Sequence, residues 1–295
     1  MDRTQGCFMN IHLDIIMIDF IVEPFRYDFM LRALLVSGMV GIICPILGSY
    51  VVIRGMGFMG DAMAHAVLPG IVIALILGIS PFLGSIPMAI FVAVSVGYLI
   101  RRKTVTEDTA VGVMFAGLFS LGLVFISLAG GLAVSVEDIL LGQILGVSRF
   151  DMLISFALTI VVLIILSAFH KQLVFSGFDP VGSVVAGLNV GALNYIFLIL
   201  LGISIVVTLD VVGVVLVVGL LVTPAAAAQM VVRRFTRSML LAVSFGLSSA
   251  VIGLYMSYYF DLPSGPVMTL ITFIIFLFCA FYARVFTQAQ PSHLM

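Results

Sequence analysis

Asp61 and His65 are an acid and a base one helical turn apart, in a stretch of sequence that carries no other charge. Residues 60–70 read Gly-Asp-Ala-Met-Ala-His-Ala-Val-Leu-Pro-Gly. Residues four apart share one face of a helix, so the carboxylate and the imidazole point the same way. Together they offer oxygen and nitrogen ligands suited to Mn(II), Fe(II) or Zn(II). The alternative is structural: Asp61 caps a helix and His65 hydrogen-bonds a neighbouring carbonyl.

The rest of the chain has the composition of a membrane protein. Of its 295 residues, 63% are hydrophobic and 9% are charged, and the mean hydropathy is +1.33. Several apolar runs reach the roughly 20 residues that a helix needs to cross a bilayer, and they are continuous rather than alternating. No polar stretch is long enough for a separate soluble domain. An ionisable side chain within such a span usually marks an ion or substrate path.

The apolar runs predict an all-α polytopic membrane protein with eight or nine transmembrane helices. Residues 1–27 form an N-terminal segment in which we expect an interfacial helix within residues 8–25, because acids interrupt the apolar residues and no signal-peptide cleavage site follows. Residues 28–288 form the transmembrane domain, and residues 289–295 form a C-terminal tail. The expected spans are 29–53, 60–78, 82–100, 109–129, 151–169, 192–209, 211–232, 238–259 and 266–283, of which 192–209 and 211–232 can form one broken unit.

Basic residues cluster at one end of the predicted spans. The cluster members are Arg54, Arg101, Arg102, Lys103, Lys171, Arg233, Arg234, Arg237 and Arg284. The opposite loops contain Glu137, Asp138 and Asp261, with Arg149 as a base. The positive-inside rule makes the first side cytoplasmic, so we expect a cytoplasmic C-terminus. With nine crossings, the N-terminus lies outside.

One predicted cytoplasmic loop contains a short helix. Asp179 followed by Pro180 is typical of a helix start, since the carboxylate caps free amides and proline suits the first helical position. Gly187 or Gly191 supplies the stop, which gives about two turns within residues 179–190. The apolar residues exposed on this helix would be Val181, Val184, Val185 and Leu188. Either a partner packs on them or the helix lies flat on its own membrane domain.

The sequence also excludes several functions. There is no phosphate-binding Gly-x-x-x-x-Gly-Lys-Ser/Thr, no nucleophile elbow and no His-Glu-x-x-His, so we predict that the chain is not an enzyme. Cys7, Cys44 and Cys279 form no spaced set for disulfides or a cysteine metal cluster. The net charge of −1 comes without a basic patch for nucleic acid. Thr104 and Glu107 fit a capping box that opens the fourth span, which explains this acid without a functional role.

These features coincide in one family. The sequence resembles the membrane permease subunits of ABC importers for manganese, zinc or iron, from about residue 29 to the last span. The resemblance is carried jointly by several motifs rather than by any single one. They lie at residues 59–70, 107–112 (Glu-Asp-Thr-Ala-Val-Gly), 140–148 (Leu-Leu-Gly-Gln-Ile-Leu-Gly-Val-Ser), 178–180 with 187–188, and 212–216 leading to 221–226.

The resemblance implies a type II ABC-importer-like permease that works as a homodimer in the plasma or inner membrane. Two cytoplasmic subunits would bind and hydrolyse ATP, an extracellular metal-binding protein would deliver the ion, and this chain would bind no cofactor of its own. Asp61 and His65 match positions on the metal path. The helix at 179–190 matches the coupling helix that docks in the ATPase, with contact residues Asp179, Pro180, Val184, Gly187 and Leu188.

Two positions depart from the family pattern. Val181 and Ser183 stand where relatives usually have an acid and an alanine, so we expect the partner contact to differ in detail. The form Gly-Asp-Ala-x-x-His-Ala-Val-Leu-Pro-Gly resembles manganese-type members, so manganese is the expected cargo, with zinc or iron as the alternatives. Ligand chemistry does not decide, because zinc binds more strongly at most nitrogen and oxygen sites.

Two rival functions come from other classes. A secondary transporter driven by an ion gradient would need no cytoplasmic partner, and it would leave the exposed apolar helix at 179–190 unexplained. A purely structural membrane scaffold would leave the pair of Asp61 and His65 unexplained.

Overall fold

The computed structural model describes residues 23–102, 106–129 and 148–287, and every regular element in these ranges is a helix. A short 3-10 helix, Glu23–Arg26, comes first. The α-helices are α1 (Asp28–Ile53), α2 (Met59–Ala66), α3 (Leu68–Ile76), α4 (Pro81–Arg101), α5 (Glu107–Ala129), α6 (Arg149–Phe178), α7 (Pro180–Val185), α8 (Val190–Val212), α9 (Val214–Val231), α10 (Phe235–Phe260) and α11 (Ser264–Thr287).

Some sequence predictions fall outside the described residues. They concern the interfacial helix within residues 8–25, the cap at Thr104, the motif at 140–148 and the tail at 289–295. The division into residues 1–27, 28–288 and 289–295 stays a prediction. Within the described part, Thr106 caps α5, since its Oγ1 accepts the N–H of Thr109 at 3.3 Å.

Eight helical segments of the described chain are long and apolar enough to cross a membrane. Seven are single helices, and the eighth, Met59–Ile76, is formed by α2 and α3 together. The apolar stretch of α9, Leu216–Val231, is shorter. The prediction of an all-α polytopic protein is confirmed, with eight candidate spans and the shorter apolar helix α9 among the described residues.

The interruption between α8 and α9 lies at Gly213 rather than at residues 209–210. Gly213 has a φ of 83°, a backbone conformation that glycine adopts without the steric cost of a Cβ atom. Asp210 lies within α8. The break between α8 and α9 is therefore set by Gly213 and not by the polar residue Asp210.

The prediction that the fifth span ends at residue 169, with Lys171 in a loop, is wrong. Helix α6 continues to Phe178, because Leu173 and Ser176 are buried against the rest of the molecule and no proline interrupts it before Pro180. Pro180 then disfavours a helical backbone at Asp179, whose φ of −137° is outside the α region. With 30 residues, α6 is about 45 Å long, more than the roughly 30 Å of a hydrocarbon core. It can therefore hold α7 clear of the membrane.

Helix α1 lies in the middle of the bundle and packs against α6, α9 and α10, with a smaller contact to α8. Glycines allow the closest approaches: a Cβ atom added at Gly246 would lie 2.5 Å from the carbonyl oxygen of Gly41, and one added at Gly48 would lie 1.6 Å from that of Leu221. Burial differs sharply between the spans, from 72% for Met59–Ile76 to 11% for α5. The segment that carries Asp61 and His65 is therefore in the interior of the protein.

Candidate metal path and coupling helix

Helix α2 holds Asp61 and His65 in a short, separate piece of helix. The helix starts after Phe58, which acts as the N-cap without a side-chain hydrogen bond. Asp61 lies in the first turn but does not cap it, so that part of the structural alternative is wrong. Val67 separates α2 from α3, and Pro69 lacks the N–H that a continuous helix would donate to the carbonyl of His65.

The two side chains are in direct contact. His65 Nδ1 lies 2.9 Å from the backbone oxygen of Asp61 and 3.3 Å from its Oδ1. A carbonyl oxygen only accepts hydrogen bonds, so Nδ1 is the donor in this contact. A neutral imidazole protonated at Nδ1 keeps the lone pair of Nε2 for a metal ion. The hydrogen bond to a carbonyl, expected of a structural histidine, is thus also the arrangement that prepares a ligand.

Aromatic rings of α5 hold the imidazole in place. The rings of Phe115 and Phe119 meet it edge-to-face, with centroid distances of 5.4 and 5.2 Å. On its other side α2 contacts α9, and Gly60 makes this possible, since an added Cβ atom would lie 2.4 Å from Leu221 Cδ2. The side chains of His65 and Asp61 remain 19% and 30% exposed. The pair is therefore fixed in orientation and still accessible.

Within the described residues, no group of three or more His, Cys, Asp or Glu side chains could hold a metal ion. Asp61 and His65 supply two ligands, fewer than the coordination number of a divalent transition metal. An ion at this pair would need further ligands from water or from another chain. Their metal-binding role stays a prediction.

The short helix predicted after Asp179 is present as α7. The Oδ1 of Asp179 accepts the N–H of Gly182 at 2.8 Å, and Pro180 occupies the first helical position. The helix ends earlier than residue 190, because Gly187 has a φ of +82° and its N–H bonds to the carbonyl of Val184 at 3.0 Å. Asn189 then caps α8.

The exposed face of α7 consists of valines. Val181, Val184 and Val185 are 75%, 62% and 84% exposed. The prediction that Leu188 shares this face is wrong, because Leu188 packs against the main hydrophobic core after the turn at Gly187. Ser183 is fully buried and donates to the carbonyl of Asp179 at 2.8 Å, so of the two departures from the family pattern only Val181 changes the exposed surface.

Arg54 has a place in this region that the sequence did not reveal. In the sequence it served only as one of the cytoplasmic charges. The structure partly buries its side chain between α6 and α8, where its guanidinium donates hydrogen bonds to Ser176 and Asn194. The sequence feature that could have indicated this is the position of Arg54, which lies at the end of α1 and only a few residues before Asp61.

Comparison with known proteins finds a matching family, similar metal-transport membrane proteins and a similar solved structure. A model described as the ABC 3 transport family matches residues 26–283. The manganese transport system membrane protein MntC of Listeria monocytogenes is 39% identical over 258 residues, covering 88% of this chain and 92% of MntC. A probable iron transport system membrane protein of Haemophilus influenzae is 36% identical, covering 91% of this chain and 99% of the relative. The solved structure of PsaBC from Streptococcus pneumoniae with a Fab is similar, with a TM-score of 0.78, 32% identity, and coverage of 89% of this chain and 95% of the other.

Proposed function

The chain belongs to the ABC 3 transport family as a membrane permease subunit of an ABC importer, and on this premise we propose that it passes manganese through the membrane. Relatives named for manganese support this cargo, and the relative named for iron makes iron the first alternative. Zinc remains the second alternative, since its ligand preferences overlap with those of the proposed site. The ion is the transported substrate, and ATP is bound by a separate subunit.

The observation that carries the proposal is the contact between His65 Nδ1 and the backbone oxygen of Asp61. It leaves the lone pair of Nε2 free for a passing ion, and the carboxylate of Asp61, which lies on the Nδ1 side of the ring, is the second group that we propose as a ligand. A divalent cation that has shed part of its water needs such groups, because the surrounding span is otherwise apolar.

We assign the missing ligands to a second copy of this chain. In a homodimer whose axis lies near α2 and α5, two Asp61 and two His65 side chains would face one pathway. The partial exposure of both residues and the low burial of α5 support an interface on this side. The symmetric arrangement is the usual one for homo-oligomers.

We propose that α7 couples ATP hydrolysis in the partner subunit to transport by this chain. Its exposed valines are costly in water, and a groove on a cytoplasmic ATPase would cover them. Asp179, Pro180 and Gly187 fix the shape of the helix, and Val184, exposed on its surface, would lie in the contact itself. Leu188 would act from beneath by anchoring the turn to the core. A metal-binding protein would deliver the ion on the opposite side, and the C-terminus would be cytoplasmic.

The proposal is tested by reconstituting the chain in lipid vesicles with its ATPase and metal-binding protein. We expect manganese to accumulate only with ATP, and manganese uptake to exceed uptake of zinc and iron when the three compete. Accumulation without ATP, driven by a proton or sodium gradient, would support a secondary transporter instead. ATP-driven uptake of zinc or iron in preference to manganese would keep the permease role and change the cargo.

A further inference from the structure

Arg54 stands between the two functional regions of this chain. It follows the last residue of α1, and residues 55–58 connect it to α2, which carries Asp61 and His65. This connection is compact: the N–H of Met56 bonds to the carbonyl of Val51 at 3.1 Å, and the N–H of Met59 bonds to that of Met56 at 3.0 Å. A displacement of Arg54 would therefore also displace α2.

The guanidinium of Arg54 holds two helices at once. Its Nη1 donates to Asn194 Oδ1 at 2.5 Å, and its Nη2 donates to Ser176 Oγ at 3.1 Å. The Cζ atom also lies 4.5 Å from the ring centroid of Phe197. A planar group with several fixed donors can make these contacts together, whereas a lysine ammonium is a single point charge.

The two helices are the two stems of α7. Ser176 lies on α6 just before the helix, and Asn194 and Phe197 lie on α8 just after it. Arg54 therefore bridges both ends of the loop that carries the exposed valines. Movement of α7 against its own membrane domain would move the partners of Arg54 on both sides.

The surroundings of Arg54 leave room for such movement. A cavity of about 180 Å³ next to it is lined by Glu107, Ser176, Pro180 and Asn194, among others. Burial lowers the pKa of Arg54 to about 10, so the side chain is still charged at neutral pH. A buried charge is expensive compared with an apolar side chain of similar size, so simple packing does not explain an arginine here.

We propose that Arg54 is a positioning residue that transmits the movement of α7 to Asp61 and His65. The inference rests on the proposed function, in which α7 docks on an ATPase and α2 lines the metal path. Closure of the ATPase would shift the stems of α7, and the hydrogen bonds to Asn194 and Ser176 would carry that shift through Arg54 into α2.

The test is the ratio of manganese transported to ATP hydrolysed in vesicles that contain the whole transporter. We compare wild type with Arg54→Met, Arg54→Lys and Asn194→Leu. Each variant should hydrolyse ATP, but the ratio should fall by roughly tenfold in Arg54→Met and Asn194→Leu, as expected for loss of a hydrogen bond to a charged group. Arg54→Lys should lie between these variants and wild type, because it keeps the charge without the two-sided contact.

Arg102→Met is the matched control, since Arg102 is exposed at the cytoplasmic end of α4, and it should keep the wild-type ratio. If Arg54→Met does not assemble with the ATPase, the test rests on the ratios measured for Arg54→Lys and Asn194→Leu. A wild-type ratio in both would overturn the inference, and so would equal losses of ATP hydrolysis and uptake, which indicate a merely structural role. Absence of ATP-driven uptake by wild type would instead refute the proposed function.

Discussion

The Nδ1 nitrogen of His65 lies 2.9 Å from the backbone carbonyl oxygen of Asp61, within the same short helix. The helix itself thus determines which ring nitrogen carries the proton, and it does so without a residue from elsewhere in the fold. The rings of Phe115 and Phe119 limit rotation of the imidazole from the other side. A ligand held in this way is ready for an ion before the ion arrives, which lowers the cost of binding.

Replacing Val184 by aspartate should separate the permease from its ATPase. Val184 is 62% exposed on α7, and covering a valine side chain is worth about 1.5–3 kcal/mol. Loss of this stabilisation, together with the cost of burying the aspartate charge, should weaken association with the ATPase by roughly tenfold or more. Co-purification with the ATPase and ATP-driven uptake are the measurements.

Val184→Thr is the control, because it keeps the shape of valine without adding a charge, and it should retain most of the association. Gly187→Leu should also uncouple transport, since a φ of +82° is strained for a residue with a side chain. Wild-type association and uptake by Val184→Asp would show that α7 does not dock on the ATPase.

The two stretches of helix around α7 show what the sequence could and could not predict. The pair Asp179-Pro180 gave the start of α7 correctly, since capping and the restriction of the residue before proline act locally. Lys171 suggests a loop and therefore an earlier end for α6, whereas burial of Leu173 and Ser176 keeps the helix regular to Phe178. Tertiary packing decided this boundary, and one sequence does not display it.

The same contrast holds at the site. The spacing of Asp61 and His65 was sufficient to predict that they share a face, because that follows from helix geometry. The role of Arg54 was not predictable, since its partners Ser176 and Asn194 are more than a hundred residues away in the chain. Leu188 was placed on the wrong surface because the turn at Gly187 redirects the chain after α7.

Cysteine labelling should give the orientation of the chain. In a background without Cys7, Cys44 and Cys279, a cysteine at exposed position Arg233 should be protected from an impermeant thiol reagent in intact cells, and one at Leu262 should react. The reason is the excess of basic residues on one side of the membrane. Both positions should react in permeabilised cells. Reaction at Arg233 and protection at Leu262 in intact cells would reverse the topology and remove α7 from the cytoplasm.

The contact between α1 and α9 should be intolerant of even one methyl group. A Cβ atom at Gly48 would lie 1.6 Å from the carbonyl oxygen of Leu221, and a backbone atom cannot rotate away. We expect Gly48→Ala to cost about 3 kcal/mol or more, seen as a lower unfolding temperature of the purified protein in detergent. Gly38→Ala, on the same helix with nothing within 4 Å, should be neutral or stabilising by roughly 0.5–1 kcal/mol. Equal unfolding temperatures for the two variants would contradict the packing of α1 on α9.

The most direct test of the metal path is ATP-driven manganese uptake by Asp61→Ala and His65→Ala, at matched protein level and limiting metal. Each variant should assemble with the ATPase, since both residues lie on α2 and not on α7, and each should lose uptake because one of the two proposed ligands is gone. Asp108→Ala, which removes an exposed acid at the start of α5, should transport like wild type. Full uptake by Asp61→Ala or by His65→Ala would contradict the metal path and leave the pair with a structural role.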